Sequence, residues 1–380
     1  IALVARAVNL QIIDTEYLQD QGEARYLRDI EVPSPRGNIL DRNGEPLAVS
    51  TPVSSLGVNP RKLLEVPDGI NRLAEVLGAD ADALERRIAQ RAKRGFVWVR
   101  RRLHPDMAQA VLDLQISGID MRKEYRRFYP AGEVTAHLVG LTNIDDEGQE
   151  GLESAYDDWL SGEPGVKRVI RDAQNNIIEH VETVKEAVPG KDLRLTIDRR
   201  LQYLAYRELK RTVLEHGALS GSVVMIDVKT GEVLAMVNRP SFNPNSSEME
   251  NNGLRNRAIT DVFEPGSVMK PFVVASALET GRWTPSTPID ASPGWISIGR
   301  FSAKDHRNYG PIDVTRLITK SSNVAAVKVA RDLEMEHMWE TDDRFGFGDV
   351  TGSGFPGESA GVLRSWRRWR PVERDTLSYG

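Results

Sequence analysis

The sequence predicts an α+β protein with more than one domain, and three observations carry that prediction. The chain has 380 residues, 40% of them hydrophobic, which suits two or three domains that each bury a core. Some stretches alternate apolar and polar residues as strands do, and others space their apolar residues as helices do. Glycine and proline turn signals separate these stretches, with no internal repeat or low-complexity tract among them.

The N-terminal half predicts a mixed α/β region. The Asn43-Gly44 pair between two apolar runs predicts a β-hairpin in which both turn residues have positive φ. Apolar residues at three- and four-residue steps predict helices over 71–94 and 104–114. Residues 117–135 and 166–190 are predicted to be extended.

The C-terminal half predicts a denser pattern of strands and helices, and we place the main domain boundary between residues 190 and 191. Asp198 is predicted to cap a helix that Gly217 ends. A hairpin is predicted over 222–237, with Lys229-Thr230-Gly231 in its turn.

The charge balance and the missing cysteines exclude several functions. Lys and Arg number 50 and Asp and Glu 55, a formal net charge of −5, so the chain lacks the basic surplus of a nucleic-acid binder. The absence of cysteine excludes a disulfide framework, a thiolate zinc site and a thiol nucleophile. The 6 histidines are scattered without the spacing of metal ligands.

The first residues are apolar and allow two interpretations. Ile1 to Ile13 is an apolar run interrupted by Arg6 and Asn9, shorter than the ~20 residues that span a bilayer. One interpretation is an ordinary amphipathic helix. The other is the exit end of an N-terminal signal anchor whose first part precedes Ile1.

A Ser-x-x-Lys pair predicts nucleophilic chemistry. Pro265-Gly266 precedes Ser267, Lys270 and an apolar helix that Gly281 ends. Ser267 and Lys270 are three residues apart, so on that helix they share a face within hydrogen-bonding reach. The positive end of the helix dipole favours an alkoxide there and disfavours a second cation. Lys270 can therefore act as a neutral base for Ser267, although a helix cap beside a solvated lysine is the alternative interpretation.

A second polar element follows at Lys320-Ser321-Ser322-Asn323, ahead of an apolar helical run. Its first hydroxyl can relay a proton, and its amide can hold a peptide carbonyl. Taken alone, the element is typical of a helix N-cap. Its position after the Ser267 element makes the combination more specific than either part.

Together these elements resemble the motif set of penicillin-recognising enzymes. The chain resembles a class B penicillin-binding protein, and within that class the septal (FtsI) type of Gram-negative bacteria. The matching segments lie in family order over nearly the whole chain: Arg36–Gly44, Arg127–Gly132, Asp227–Glu232, the Ser267 and Ser321 elements, and Gly354–Glu358.

The resemblance implies a domain order. A penicillin-recognising serine transpeptidase fold, an antiparallel sheet flanked by helices, would occupy 191–380. An elongated, mixed α/β pedestal domain would precede it over 31–190, and residues 1–30 would end a membrane anchor and form a juxtamembrane segment.

The resemblance also implies a role for each residue of the two elements. Ser267 would be the acylated nucleophile, and Lys270 the general base. Ser321 would pass the proton to the leaving amine, and Asn323 would bind the peptide backbone of the substrate. The backbone N–H of Ser267 would form half of an oxyanion hole.

The activity implied is that of a D,D-transpeptidase that cross-links peptidoglycan stem peptides in septal wall synthesis and is a target of β-lactams. It needs no metal or organic cofactor. The expected partners are stem peptides and lipid-linked precursor strands, a SEDS-type glycosyltransferase and other division proteins. The expected location is the bacterial inner membrane, single-pass, with the bulk of the chain in the periplasm.

Two departures from the family pattern bear on these expectations. Val268 follows Ser267 where many relatives have threonine, at a position of secondary importance. Lys229-Thr230-Gly231 spells the third motif but precedes Ser267, whereas the family has that motif after the Ser-x-Asn element. We therefore expect the functional copy to follow Gly380, the transpeptidase domain to be incomplete at its C-terminus, and the 1–380 chain alone to react poorly with penicillin.

Three alternatives stay open. An elongation-type class B penicillin-binding protein shares the same motifs. A β-lactamase or β-lactam sensor should lack the long segment before residue 191. A non-catalytic scaffold with a vestigial serine would not be expected to keep Ser267, Lys270, Ser321 and Asn323 together.

Two other patterns are interpreted as structural. The stretch from Asn143 resembles a calcium loop, but its twelfth position is Ser154, and Glu153 falls one place early. A surface turn is predicted instead. The basic, aromatic run 364–370 has residue types that bind nucleic acid or anionic lipid, but so short a run is predicted to be a packed surface segment.

Overall fold

The computed structural model describes residues 27–171, 177–246 and 253–380. Its strands are β1 (Leu27–Val32), β2 (Ile39–Leu40), β3 (Pro46–Val58), β4 (Val97–Leu103), β5 (Ile119–Phe128), β6 (Leu141–Thr142), β7 (Gly148–Glu150), β8 (Gly165–Arg171), β9 (Ile177–Lys185), β10 (Leu193–Arg194), β11 (Gly221–Ile226), β12 (Val233–Arg239), β13 (Pro288–Asp290), β14 (Trp295–Ile298), β15 (Phe301–Lys304) and β16 (Pro311–Asp313).

Helices alternate with these strands, which confirms the α+β class. They are α1 (Pro60–Leu64), α2 (Gly69–Leu77), α3 (Ala81–Ala89), α4 (Pro105–Asp113), α5 (Ala136–Val139), α6 (Gly151–Ala155), α7 (Asp157–Leu160), α8 (Arg199–Glu215), α9 (Arg257–Thr260), α10 (Lys270–Glu279), α11 (Val314–Lys320), α12 (Asn323–Asp332), α13 (Met335–Arg344) and α14 (Pro371–Leu377). The apolar run predicted to end a membrane anchor lies outside the described residues. Within those residues, no helix is both long and apolar enough to cross a bilayer.

The chain forms two compact units that divide between Ala258 and Ile259. The first unit therefore continues past the domain boundary predicted between residues 190 and 191. That boundary stays a prediction about domains.

The largest sheet of the first unit is built on the long strand β3. Its order is β10-β2-β3-β4, and β5 also pairs with β3 in antiparallel register. The predicted hairpin forms between β2 and β3, but only Gly44 has a positive φ, of 87°. The expectation for Asn43 is wrong because Asp41 builds an Asx turn, in which its carboxylate accepts from the Asn43 N–H at 2.7 Å.

The single helix predicted over 71–94 is in fact two helices, α2 and α3. Gly78 ends α2 in the left-handed conformation, with φ 58°, and Asp80 caps α3 by accepting from the Ala83 N–H. The apolar spacing does not show this break because both helices face one core. The residues that these two helices contribute to the core are Leu73, Ala74, Leu77, Leu84 and Ile88. The helix predicted over 104–114 is confirmed as α4.

The two stretches predicted to be extended differ in outcome. Within 166–190, the described residues include β8 and β9, which make an antiparallel sheet with β1. In 117–135, β5 ends at Phe128 and a 3₁₀ turn follows at Gly132–Val134. Pro130 lies between them and cannot donate a ladder hydrogen bond, which is why the strand stops there.

A buried ion cluster joins distant segments of the first unit. Glu153 is fully buried and accepts from Arg36 Nε at 2.7 Å and from Arg127 Nε at 2.6 Å. Arg36 also pairs with Asp157 at 2.7 Å. Glu153 thus serves this cluster and not a calcium loop, while the Asn143 carboxamide turns the chain between β6 and β7 by accepting from two backbone N–H groups.

The predictions for 198–237 are confirmed in their main parts. Asp198 caps α8 by accepting from the Arg200 N–H, and Gly217 follows the helix with φ 59°. β11 and β12 pair antiparallel, and their apolar side chains pack against α8. Lys229-Thr230-Gly231 lies in the turn between them, where the Gly231 N–H donates to the Asp227 carbonyl at 2.8 Å.

The second unit packs its helices around small and β-branched side chains. Helices α10 and α12 meet at this core, to which they contribute Val273, Val274, Ala277, Val324, Ala325, Ala326, Val329 and Ala330. The run 364–370 belongs to the same unit, and Trp369 is buried in its core with Nε1 donating to the Arg364 carbonyl at 2.9 Å. The run is therefore a packed segment, as predicted.

Candidate active site

Ser267 lies in a 3₁₀ turn over Gly266–Met269, directly before α10, which begins at Lys270. The sequence predicted both residues in the first turn of one α-helix, so the expectation for Ser267 is wrong by one turn. The spacing argument survives because residues three apart eclipse each other in a 3₁₀ turn. Gly266, with φ 64°, sets the entry to this turn. Ser267 is exposed, whereas Lys270 is only 2% exposed.

The Ser-x-Asn element forms the junction between α11 and α12. Ser321 follows α11 in the left-handed conformation, with φ 54° and ψ 43°, which costs a non-glycine residue about 1–2 kcal/mol. Ser322 is the N-cap of α12 and accepts from the Ala325 N–H, and Asn323 is the first helical residue. The left-handed turn aims Ser321 and Asn323 to the same side of the junction.

The structure brings all four predicted side chains together around the Lys270 amine. Lys270 Nζ lies 2.9 Å from Ser267 Oγ and 2.8 Å from Ser321 Oγ. It also lies 2.7 Å from the Ser321 carbonyl oxygen and 2.7 Å from Asn323 Oδ1. Ser321 Oγ is 3.1 Å from Ser267 Oγ, so the two hydroxyls and the amine form a closed triangle.

The hydrogen-bond donors and acceptors around Nζ suit a neutral amine. The Ser321 carbonyl and Asn323 Oδ1 can only accept, so they take both N–H bonds of a neutral lysine. The lone pair of Nζ then remains for a hydroxyl proton, and Ser267 Oγ is within reach of it. Burial lowers the pKa of Lys270 to about 8, against a smaller opposing effect of the Asp305 charge. The amine is thus available as a base near neutral pH.

Asp305, directly after β15, was missed by sequence reasoning. Its carboxylate accepts from the Asn323 N–H at 2.6 Å and from the Ser322 hydroxyl at 2.7 Å. The only signal in the sequence is an acidic residue after a short alternating strand, which is too common to single it out. No group of three or more potential ligand side chains that could hold a metal is found in the described ranges.

Two family models match the chain. Residues 31–195 match the penicillin-binding protein dimerisation domain, and residues 221–380 match the penicillin-binding protein transpeptidase domain. The two matches follow each other in the predicted order.

Curated relatives match along the whole chain. The chain is 41% identical to the peptidoglycan D,D-transpeptidase FtsI of Escherichia coli, with all of this chain and 65% of that protein covered. It is 40% identical to the probable peptidoglycan D,D-transpeptidase PbpC of Pseudomonas aeruginosa, with all of this chain and 67% of that protein covered. The chain therefore spans about two thirds of the length of these relatives.

A solved structure shows the same fold. The penicillin-binding protein (PBP2) in its complex with MreC from Helicobacter pylori matches with a TM-score of 0.75 and 23% identity. The match covers 93% of this chain and 73% of that chain. The predicted fold, a penicillin-recognising transpeptidase fold after a mixed α/β domain, is confirmed.

Proposed function

Because the chain belongs to the penicillin-binding protein family of peptidoglycan D,D-transpeptidases, we propose that it is a serine acyltransferase whose nucleophile is Ser267. The observation that carries the proposal is the buried Lys270 amine 2.9 Å from the exposed Ser267 hydroxyl. A base whose pKa is about 8, within hydrogen-bonding reach of a hydroxyl, is what nucleophilic acyl transfer by serine requires.

The first half of the reaction acylates the enzyme. Ser267 Oγ attacks the carbonyl carbon of a D-Ala-D-Ala peptide bond while neutral Lys270 takes its proton. The Ser267 N–H stabilises the oxyanion that forms. The C–N bond then breaks, the acyl group stays on Ser267 as an ester, and the proton reaches the departing D-Ala amine through Ser321 Oγ.

The second half transfers the acyl group. The amine of a neighbouring stem peptide attacks the ester carbon, and its proton returns along the same relay to Ser267 Oγ as the C–O bond breaks. Asn323 binds the stem-peptide backbone through its carboxamide. A β-lactam enters the same path, but the amine it releases stays attached through the opened ring, so the ester persists.

The proposed setting is septal wall synthesis, in keeping with the resemblance to FtsI of Escherichia coli. Stem peptides on lipid-linked precursor strands are the proposed substrates, and a SEDS-type glycosyltransferase and other division proteins the proposed partners. The proposed location is the inner membrane, with a single anchor and the bulk of the chain in the periplasm. Retention of the protein in membranes washed with high salt, and its release by detergent, would test the location.

Covalent labelling by a fluorescent penicillin tests the central proposal. We expect the full-length gene product, which would carry the third motif, to form a stable adduct that maps to Ser267 by mass spectrometry. Ser267→Ala should abolish the adduct, whereas the matched control Ser286→Ala, at an exposed serine of the same unit, should label normally. Unchanged labelling of Ser267→Ala would refute the assignment of the nucleophile.

A further inference from the structure

We propose that Asp305 is a positioning residue of the acyl-transfer reaction, whose carboxylate holds the Ser321–Asn323 turn against Lys270. The inference rests on the proposed function. It assigns a role to a residue outside the two predicted elements, and the contacts that carry it are those of one carboxylate with the start of α12.

The Asp305 carboxylate accounts for the first backbone donors of α12. Its Oδ1 accepts from the Asn323 N–H at 2.6 Å and from the Val324 N–H at 3.1 Å. Ser322 Oγ takes the third donor, the Ala325 N–H, at 3.0 Å. An α-helix leaves its first N–H groups without partners inside the helix, so a distant carboxylate supplies what the local sequence cannot.

The same carboxylate fixes the turn that precedes the helix. Asp305 Oδ2 accepts from the Ser322 hydroxyl at 2.7 Å, so Ser322 both caps α12 and is tied to β15. Its neighbour Ser321 has the left-handed backbone that a non-glycine residue adopts only when its surroundings hold it there. Losing the Asp305 contacts would therefore release the residue that places two oxygens on Lys270 Nζ.

The strand end also sets the direction of the Asn323 side chain. Asn323 Nδ2 donates to the carbonyl of Lys304, the residue before Asp305, at 2.9 Å. Its Oδ1 is thereby turned to Lys270 Nζ at 2.7 Å. The Asp305 N–H donates to the Gly294 carbonyl at 2.9 Å, which fastens the end of β15 to the start of the β14–β15 hairpin. Backbone and side chain of Asn323 are thus held by two consecutive residues.

The charge of Asp305 has a second effect, on the base itself. It raises the pKa of Lys270 against the lowering caused by burial. A neutral residue at position 305 would remove this attraction, so the pKa of Lys270 would fall further. The amine would then become neutral at lower pH, and the pH profile of acylation would record it.

The decisive experiment measures the second-order rate of fluorescent-penicillin acylation from pH 5 to pH 9. Asp305→Asn keeps the shape and one acceptor oxygen but removes the charge. We expect roughly a 10- to 100-fold lower rate on the plateau, the order expected when hydrogen bonds to a charged carboxylate are weakened. We also expect the rising limb of the profile to move to lower pH. Asp305→Glu should keep the limb in place and recover part of the rate.

A matched control separates positioning from simple helix capping. Asp313 caps the neighbouring helix α11 by accepting from the Arg316 N–H at 2.7 Å, so Asp313→Asn removes the charge of a comparable cap away from Lys270. Asp313→Asn should leave the acylation rate within about twofold of the wild-type rate and the rising limb of the pH profile at the same pH. The proposal would be overturned if the pH profile of Asp305→Asn matched that of the wild type. It would also be overturned if the acylation rate fell equally at every pH and the thermal stability fell with it.

A second readout keeps the test independent of acylation. In protein labelled with ¹³C at lysine Cε, the chemical shift of Lys270 reports its protonation directly. We expect its midpoint to fall in Asp305→Asn and to stay in Asp313→Asn. Absence of any penicillin adduct in the full-length wild-type protein would refute the proposed function, whereas an unmoved Lys270 midpoint in Asp305→Asn would refute the role of Asp305.

Discussion

The ion cluster around Glu153 and the site around Ser267 both bury a charged type of side chain, but they satisfy it in opposite ways. Glu153 is held between two arginines at 2.6 and 2.7 Å, and all three side chains are at most 2% exposed. Lys270 is as deeply buried, but in the described residues it forms no ion pair and contacts only neutral oxygens.

The difference shows how one protein uses buried ionisable side chains for two purposes. The buried carboxylate of Glu153 is paired with two guanidinium groups, and the cluster cross-links segments that are more than 100 residues apart in sequence. A buried amine without a carboxylate loses its charge easily. The ion-paired carboxylate of Glu153 therefore serves the structure, whereas the Lys270 amine, which has no ion-pair partner in the described residues, can act as a base.

The largest effect is expected from fixing the charge on the amine. In Lys270→Arg the guanidinium stays protonated at all working pH values, so it cannot accept the Ser267 proton. We expect penicillin acylation to fall by roughly 10³-fold, within the range for loss of a general base. Lys328→Arg, at a half-buried lysine of α12, is the control and should acylate normally. An acylation rate of Lys270→Arg within tenfold of the wild-type rate would contradict the role of Lys270 as the base.

The next largest effect is expected from removing the partner charge in the other region. Glu153→Gln leaves Arg36 and Arg127 buried without their carboxylate. Breaking a buried pair in this way costs about 3–5 kcal/mol, measured as a lower free energy of unfolding in urea. Glu163→Gln, which disrupts an exposed pair with Lys185, should leave the unfolding midpoint unchanged. Equal midpoints for the two variants would show that burial of the cluster adds nothing.

The pH dependence of acylation sharpens the comparison at Lys270. Since the pKa of Lys270 is about 8 and only the neutral amine accepts a proton, the rate should increase with pH. The neutral fraction rises about fiftyfold between pH 6 and pH 8, and the second-order acylation rate should follow it. A rate that is flat across this interval would mean that the base is already neutral at pH 6.

The smallest effect is expected at a lone buried carboxylate, Asp342 of α13. Burial raises the pKa of Asp342 to about 6, so its ionisation opposes folding as pH rises from about 4 to about 6. Asp342→Asn should stabilise the protein by roughly 1–3 kcal/mol at pH 8 and have little effect at pH 4. Urea unfolding at both pH values measures this. Asp343→Asn, at the exposed neighbour, should leave the stability unchanged at both pH values. A stabilisation by Asp342→Asn that is independent of pH would exclude ionisation as its cause.

Local signals account for most of what the sequence predicted. Ser267 and Lys270 are three residues apart, and that spacing brings them together in a 3₁₀ turn as it would in an α-helix. The caps at Asp198 and Gly217 are likewise short-range. Errors arose where a local pattern has two solutions, as at Gly78, which divides one apolar periodicity into two helices.

By itself, the sequence determined the α+β class, the two polar elements and the type of chemistry they support, because each depends on residues within a few positions of one another. Only the tertiary structure decided that the Ser321 turn closes on Lys270, that the amine is buried, and that Asp305 holds the start of α12. These contacts join residues 17 to 54 positions apart in the sequence. No periodicity or spacing encodes such distances, since packing of the whole unit brings the segments together.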